Sequence, residues 1–109
     1  MLVRAIEGRL RKEGYTVRSA SDGQQVLEEI ARQAPDLIIT DIMMPYASGL
    51  EIIAAVRSLP GKKVPVIILS SMGQEDVVLE AFQLGADDYI TKPFSPNELS
   101  VRVRRLLTA

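Results

Sequence analysis

Histidine and cysteine are both absent from the 109 residues. Without imidazole the chain has no histidine base, no histidine zinc ligand and no phosphohistidine of its own. Without thiols it can form neither a disulfide nor a thiolate metal site, which suits a reducing compartment. No apolar run approaches the roughly 20 residues of a membrane span, and no signal peptide is visible. An excess of positive charge is missing too: the formal net charge is −1, which gives no electrostatic case for direct nucleic-acid binding. What is present is the composition of a soluble globular chain, 47% hydrophobic and 25% charged. A chain of 109 residues is large enough for one core, so residues 1–109 are expected to form a single domain.

Helical and strand patterns alternate along the chain without a linker. Leu2, Val3, Ile6 and Leu10 recur at helical spacing, and Gly14 offers a C-terminal stop. A strand is expected from Tyr15 to Ala20. Ser21 or Asp22 can cap a second helix carrying Val26, Leu27 and Ile30, which ends before Pro35. Leu37 to Asp41 reads as a buried strand, followed by a helix over about Leu50 to Leu59 and the punctuation Pro60-Gly61. Val64 to Ser70 contains Val66-Ile67-Ile68-Leu69, the strongest strand pattern in the chain. A helix over about Gln74 to Leu84 stops at Gly85, and Asp88 to Thr91 makes a short strand. Pro96 then suits the first turn of a last helix carrying Leu99, Val103, Leu106 and Leu107. The alternation predicts an α/β fold built on a parallel sheet with right-handed crossovers.

In a parallel sheet the C-terminal ends of the strands lie on one edge, where open α/β folds bind ligands. Asp41, Ser70 and Lys92 all fall at or just past such ends, and Thr40 precedes the acid. Taken singly, each has an ordinary explanation. A strand-end aspartate is commonly a turn former or helix cap, Ser70 a bland strand end, and Lys92-Pro93 a turn with a solvated lysine. Taken together they place an acid, a hydroxyl and an ammonium on one rim. A carboxylate can attack a phosphoryl donor, a lysine can pair with phosphoryl oxygens, and a hydroxyl can donate a hydrogen bond to one of them. From the residues alone the result is an anion or phosphoryl site.

With these pieces assembled, the sequence resembles the receiver domain of bacterial two-component response regulators. The matching runs are Pro35 to Pro45 around Asp41, Gly49-Leu50, Pro65 to Ser71, and Gly85 to Phe94. The resemblance covers essentially the whole chain and implies a flavodoxin-like parallel sheet with helices on both faces. It implies Asp41 as phosphoacceptor, Ser70 as the hydroxyl that reorients towards the phosphoryl group, and Lys92 as its cationic neighbour. Tyr89 is similar to the aromatic switch that turns inward when the hydroxyl moves, although a half-buried strand aromatic with a wet hydroxyl would look the same. Lys92-Pro93 matches the place where such domains carry a cis peptide. The family implies Mg2+ as cofactor, held here by Asp41 and the backbone carbonyl of Met43. It implies a histidine kinase or phosphotransfer protein as partner, a cytoplasmic location, and a signalling role rather than a classical enzyme. Asp88, Glu98 and Arg102 match charged positions through which winged-helix regulators dimerise, but Val78 stands where a lysine is expected. Solvated surface charge is the simpler expectation for them.

The chain departs from the family pattern at its front. Receivers open with an apolar strand followed by two acidic residues that help hold Mg2+, and family spacing puts both before Met1. Met1 to Arg4 already resembles the first helix, and Glu7, inside that helix, is no substitute for the acidic pair. The expectation is therefore a truncated receiver without an output domain, with weak Mg2+ binding and impaired phosphorylation. The absent strand would be the central one, between Tyr15 to Ala20 and Leu37 to Asp41. The slot is expected to close either by direct pairing of those two strands or by exchange of elements with a second copy, the N-terminal helix being the piece most free to move.

Rival classes fail on particular residues. A haloacid-dehalogenase-type phosphatase needs a second aspartate two residues after the first, where this chain has Met43. A flavodoxin-like FMN protein needs a phosphate-cradling loop after its first strand, and a dinucleotide enzyme needs G-x-G-x-x-G; neither is found. The remaining alternative is a phosphorylation-independent dimerisation or protein-binding module of receiver-like fold.

Overall fold

The computed structural model describes residues 2–20, 22–42, 49–59 and 63–108. Among them the chain runs α1 (Leu2–Lys12), α2 (Gly23–Arg32), β1 (Ile38–Asp41), α3 (Gly49–Arg57), β2 (Val66–Ser70), α4 (Glu75–Leu84), β3 (Asp88–Thr91) and α5 (Pro96–Thr108). The three strands form a parallel sheet in the order β1-β2-β3, with Ile38 opposite Val66 and Ile67 opposite Asp88 at its start.

Local chemistry sets the element ends. Asp22 caps α2, its side chain accepting from the Gln25 backbone N–H at 2.9 Å. Gly85 ends α4 in the left-handed region at φ 116°, and its N–H returns to the carbonyls of Ala81 and Phe82. Ser95 accepts from the Glu98 N–H at 3.1 Å ahead of Pro96, so α5 starts with a cap and a proline in its first turn.

Two apolar layers sandwich the sheet. On one face Ile38, Val66 and Ile68 pack with Ile30 of α2, Ile52, Ile53 and Val56 of α3, and Val78 and Ala81 of α4. On the other, Ile67, Leu69 and Ile90 pack with Leu10 of α1 and Leu99 and Val103 of α5. Every residue of β2 is buried, as a central parallel strand covered on both faces must be. The predicted helices-on-both-faces α/β architecture is therefore present.

The strand expected at Tyr15 to Ala20 is not formed. Its alternation was a sound guide to burial, since Tyr15 and Val17 pack against the second core layer while Thr16 and Arg18 are exposed. A strand needs a ladder as well, and among the described residues β1 bonds only to β2. Direct pairing of the two segments, one of the expected ways to close the sheet, is thus not what happens. Nor does α1 float free: Ile6 and Leu10 pack on the α5 layer, Arg9 bonds Asn97, and Ser100 donates to Glu13.

At the opposite end of the sheet from Asp41, Arg57 ties three segments together. Its guanidinium donates to the carbonyls of Gly85 (2.7 and 3.0 Å) and Val64 (2.7 Å) and to Asp87 Oδ2 (2.8 Å), which also accepts from the Val66 N–H.

Candidate functional site

Asp41 is the last residue of β1, and the packing beneath it fixes where its carboxylate leaves the sheet. Thr40 is buried and donates its hydroxyl to the Asp41 carbonyl at 3.0 Å. Beyond Asp41, Ile42 is buried, and its carbonyl accepts from the Gly49 N–H at 2.9 Å, so the chain returns to the rim at the start of α3. Gly49 approaches so closely that a Cβ there would lie 2.7 Å from the Asp41 carbonyl oxygen.

Lys92 arrives from the far strand. Its backbone N–H donates to the Ser70 carbonyl at 2.7 Å, which pins the residue after β3 to the end of β2. Its Nζ then bonds Asp41 Oδ1, spanning the rim from β3 to β1. The carboxylate is 37% exposed and the ammonium 31%, so the pair stays open to a donor molecule, and Oδ2 has no partner among the described residues. The Lys92-Pro93 peptide is cis, as expected.

Ser70 and Tyr89 have other partners than the acid. Ser70 is buried, and its hydroxyl lies 3.5 Å from Thr91 Oγ1. Tyr89 is 41% exposed, its ring meeting Phe82 edge-to-face at 5.7 Å between centroids. Of the three residues expected at the rim, Asp41 and Lys92 are in contact and Ser70 lies at the adjoining strand end.

Asp88, Glu98 and Arg102 form their own cluster between β3 and α5. Arg102 pairs with Asp88 at 2.7 Å and with Glu98 at 3.6 Å, and Arg105 adds a second bond to Asp88 at 2.9 Å. Asp88 is buried, so the expectation of solvated charge fails for it: it is a paired acid under the helix. An open depression lies over this cluster, and the charges that line it are already paired. Sequence reasoning missed Thr91, Phe82, Arg57 and Gly49's steric role. Only Gly49 carried a readable signal, a glycine just past a strand-end acid.

Mg2+ demands a nearly octahedral shell of oxygens. Among the described residues no three acidic, histidine or cysteine side chains gather to hold such an ion. Met43, whose carbonyl was expected to contribute, lies outside the described residues. The described residues therefore do not make a dedicated Mg2+ cage.

The response regulator receiver domain model matches residues 1–104. The chain belongs to the response regulator receiver domain family. It is 37% identical over 106 residues to the alkaline phosphatase synthesis transcriptional regulatory protein PhoP of Bacillus subtilis, covering 97% of this chain and 44% of that one. The chain thus spans less than half the length of that regulator. Among solved structures, a response regulator from Chloroflexus aurantiacus superposes with a TM-score of 0.91 at 35% identity, covering 99% of this chain and 89% of the other. The receiver domain of a sensor histidine kinase from Pseudomonas aeruginosa, described with a magnesium ion coordinated in its active-site cleft, gives 0.86 at 30% identity over 99% and 89%. Receiver domains are signalling domains of two-component systems and not classical enzymes. No helix among the described residues is long and apolar enough to cross a membrane.

Proposed function

We propose that this receiver accepts a phosphoryl group on Asp41 from the phosphohistidine of a histidine kinase or phosphotransfer protein. The observation that carries the reading is the Lys92 ammonium closing on one oxygen of a partly exposed strand-end carboxylate whose other oxygen has no partner among the described residues. In the transfer, a carboxylate oxygen of Asp41 forms a bond to phosphorus as the phosphorus–nitrogen bond of the donor breaks, and the imidazole leaves with a proton from solvent. Lys92 stays on the rim to pair with the phosphoryl oxygens, which carry about −1.5 to −2 charge. Ser70 exchanges its long contact with Thr91 for a bond to one of those oxygens, and Tyr89 turns into the space released.

Two further features belong to the same reading. With no cluster of three acidic side chains among the described residues, Mg2+ binds weakly and phosphoryl transfer runs slower than in receivers with a fuller acidic site. The edge of β1, unpaired among the described residues, accepts a strand from a second copy. Asp88, Glu98 and Arg102 serve the single chain as ion pairs and are at most a secondary contact in such an assembly.

Phosphoryl uptake from acetyl phosphate tests the reading. Wild type is expected to take up one group per chain slowly, Asp41→Asn none, and Lys92→Met much less. Equal uptake by Asp41→Asn contradicts the assignment. No uptake by wild type favours the phosphorylation-independent binding module instead.

A further inference from the structure

We propose that Phe82 is the latch of the unphosphorylated state: its ring holds Tyr89 outward, and this contact sets how readily the aromatic switch turns. The inference rests on the reading of Tyr89 as the mobile ring, and it names the residue from which that ring must separate.

Phe82 lies on the last turn of α4 and Tyr89 on β3, with ring planes 87° apart and centroids 5.7 Å apart. That geometry sets the positive edge of one ring against the negative face of the other. The Tyr89 hydroxyl has no hydrogen-bond partner among the described residues, so the ring contact is the specific interaction that favours the outward position. Phe82 is a firm anchor for it. The same helix buries Val78 and Ala81 in the core, and Gly85 closes it with bonds to the carbonyls of Ala81 and Phe82 itself.

The inward route lies on the same side of the sheet. Ile68 stands opposite Tyr89 and Ser70 opposite Thr91, so Ser70, Thr91 and Tyr89 project from one face. The Ser70 hydroxyl is held by a contact of 3.5 Å to Thr91, at the outer limit of a hydrogen bond, and therefore exchanges at little cost. The step that must be opposed is the separation of the two rings. A contact made in one state only shifts the equilibrium by its full strength, and an edge-to-face pair is worth about two- to tenfold in population. Phe82 is thus a positioning residue, acting through Tyr89 on the site it never touches.

Photo-CIDNP NMR, which polarises solvent-accessible tyrosine rings, reads the position of Tyr89 in the free protein, with Tyr89→Phe assigning the signal. The direction of change is diagnostic. If Phe82 is the latch, Phe82→Ala lets Tyr89 turn inward and its polarisation falls, and beryllofluoride, a phosphoryl mimic, binds about two- to tenfold more tightly. Phe82→Leu, which keeps apolar bulk without the ring edge, moves both readouts the same way, and Phe82→Tyr leaves them as in wild type. If Phe82 merely covers its neighbour, Phe82→Ala uncovers an unmoved ring and polarisation rises, which overturns the proposal. So does a Phe82→Tyr variant that behaves like Phe82→Ala. Equal binding of beryllofluoride to Asp41→Asn would contradict the phosphoacceptor reading alone, and the polarisation of Tyr89 would still decide the latch.

Discussion

A methyl group on Gly49 would sit 2.7 Å from the Asp41 carbonyl oxygen and 2.9 Å from Ile42 Cα, and both of those atoms are backbone that cannot swing aside. Gly49→Ala is therefore expected to push the end of β1 away from α3, at a cost of about 1–3 kcal/mol in urea unfolding, and to slow phosphoryl uptake by misplacing the carboxylate. A variant of wild-type stability and uptake would contradict that steric account. Glu13 gives a second prediction. Ser100 Oγ lies 2.6 Å from its carboxylate and Arg9 Nε 2.9 Å away, and these bonds, the Ser100 bond foremost, hold the Glu13 carboxyl below its ordinary value of 4.5. A depressed acid contributes stability in full above its unfolded pKa, and that contribution is lost as pH falls through the folded value. Thermal melts of Ser100→Ala should therefore lie below wild type at neutral pH, the gap narrowing as the solution is acidified below about pH 4.5. A gap that widens on acidification would refute the sign. Asp41 and Lys92 were legible because strand ends can be read from apolar runs. Phe82 and Ser100 were not, because their partners are set by which helix packs on which strand.

Arg57 illustrates how an element end can hold the scaffold. A basic residue in the last turn of a helix looks in sequence like a complement to the helix dipole, worth a few tenths of a kcal/mol. Here it bridges Val64, Gly85 and Asp87, and so clamps the starts of β2 and β3 in the register that carries Ser70 and Lys92 to one rim. Arg57→Met should leave Asp87 with only its bond from the Val66 N–H and the exposed Lys63, and lower stability by about 3 kcal/mol without changing the urea m-value. A loss under 1 kcal/mol would show that the clamp is incidental. The helices themselves were well foreshadowed by their caps and apolar spacing, and β2 by its unbroken aliphatic run. The segment from Tyr15 to Ala20 misled because alternation reports which side chains are half-buried and says nothing about whether a neighbouring backbone is in reach.

The two-layer sandwich leaves β1 on the edge of the described sheet with apolar side chains on both of its faces. Such an edge invites another strand, and we expect light scattering coupled to size exclusion to give the mass of two chains at micromolar concentration. A monomer across that range would remove exchange between copies from the account. The parallel sheet followed from the alternation of patterns, because few topologies satisfy right-handed crossovers, and the helices on both faces from the family resemblance. The charged cluster at Asp88 could not be judged the same way, since burial under α5 depends on the whole assembly. The claim beneath all of this is that Asp41 forms an acyl phosphate. Borohydride reduction after prolonged incubation with acetyl phosphate, followed by peptide sequencing, tests it most directly, because reduction turns a phosphorylated aspartate into homoserine. The account predicts homoserine at position 41 and nowhere else; an unchanged Asp41, or homoserine at another position, would contradict it.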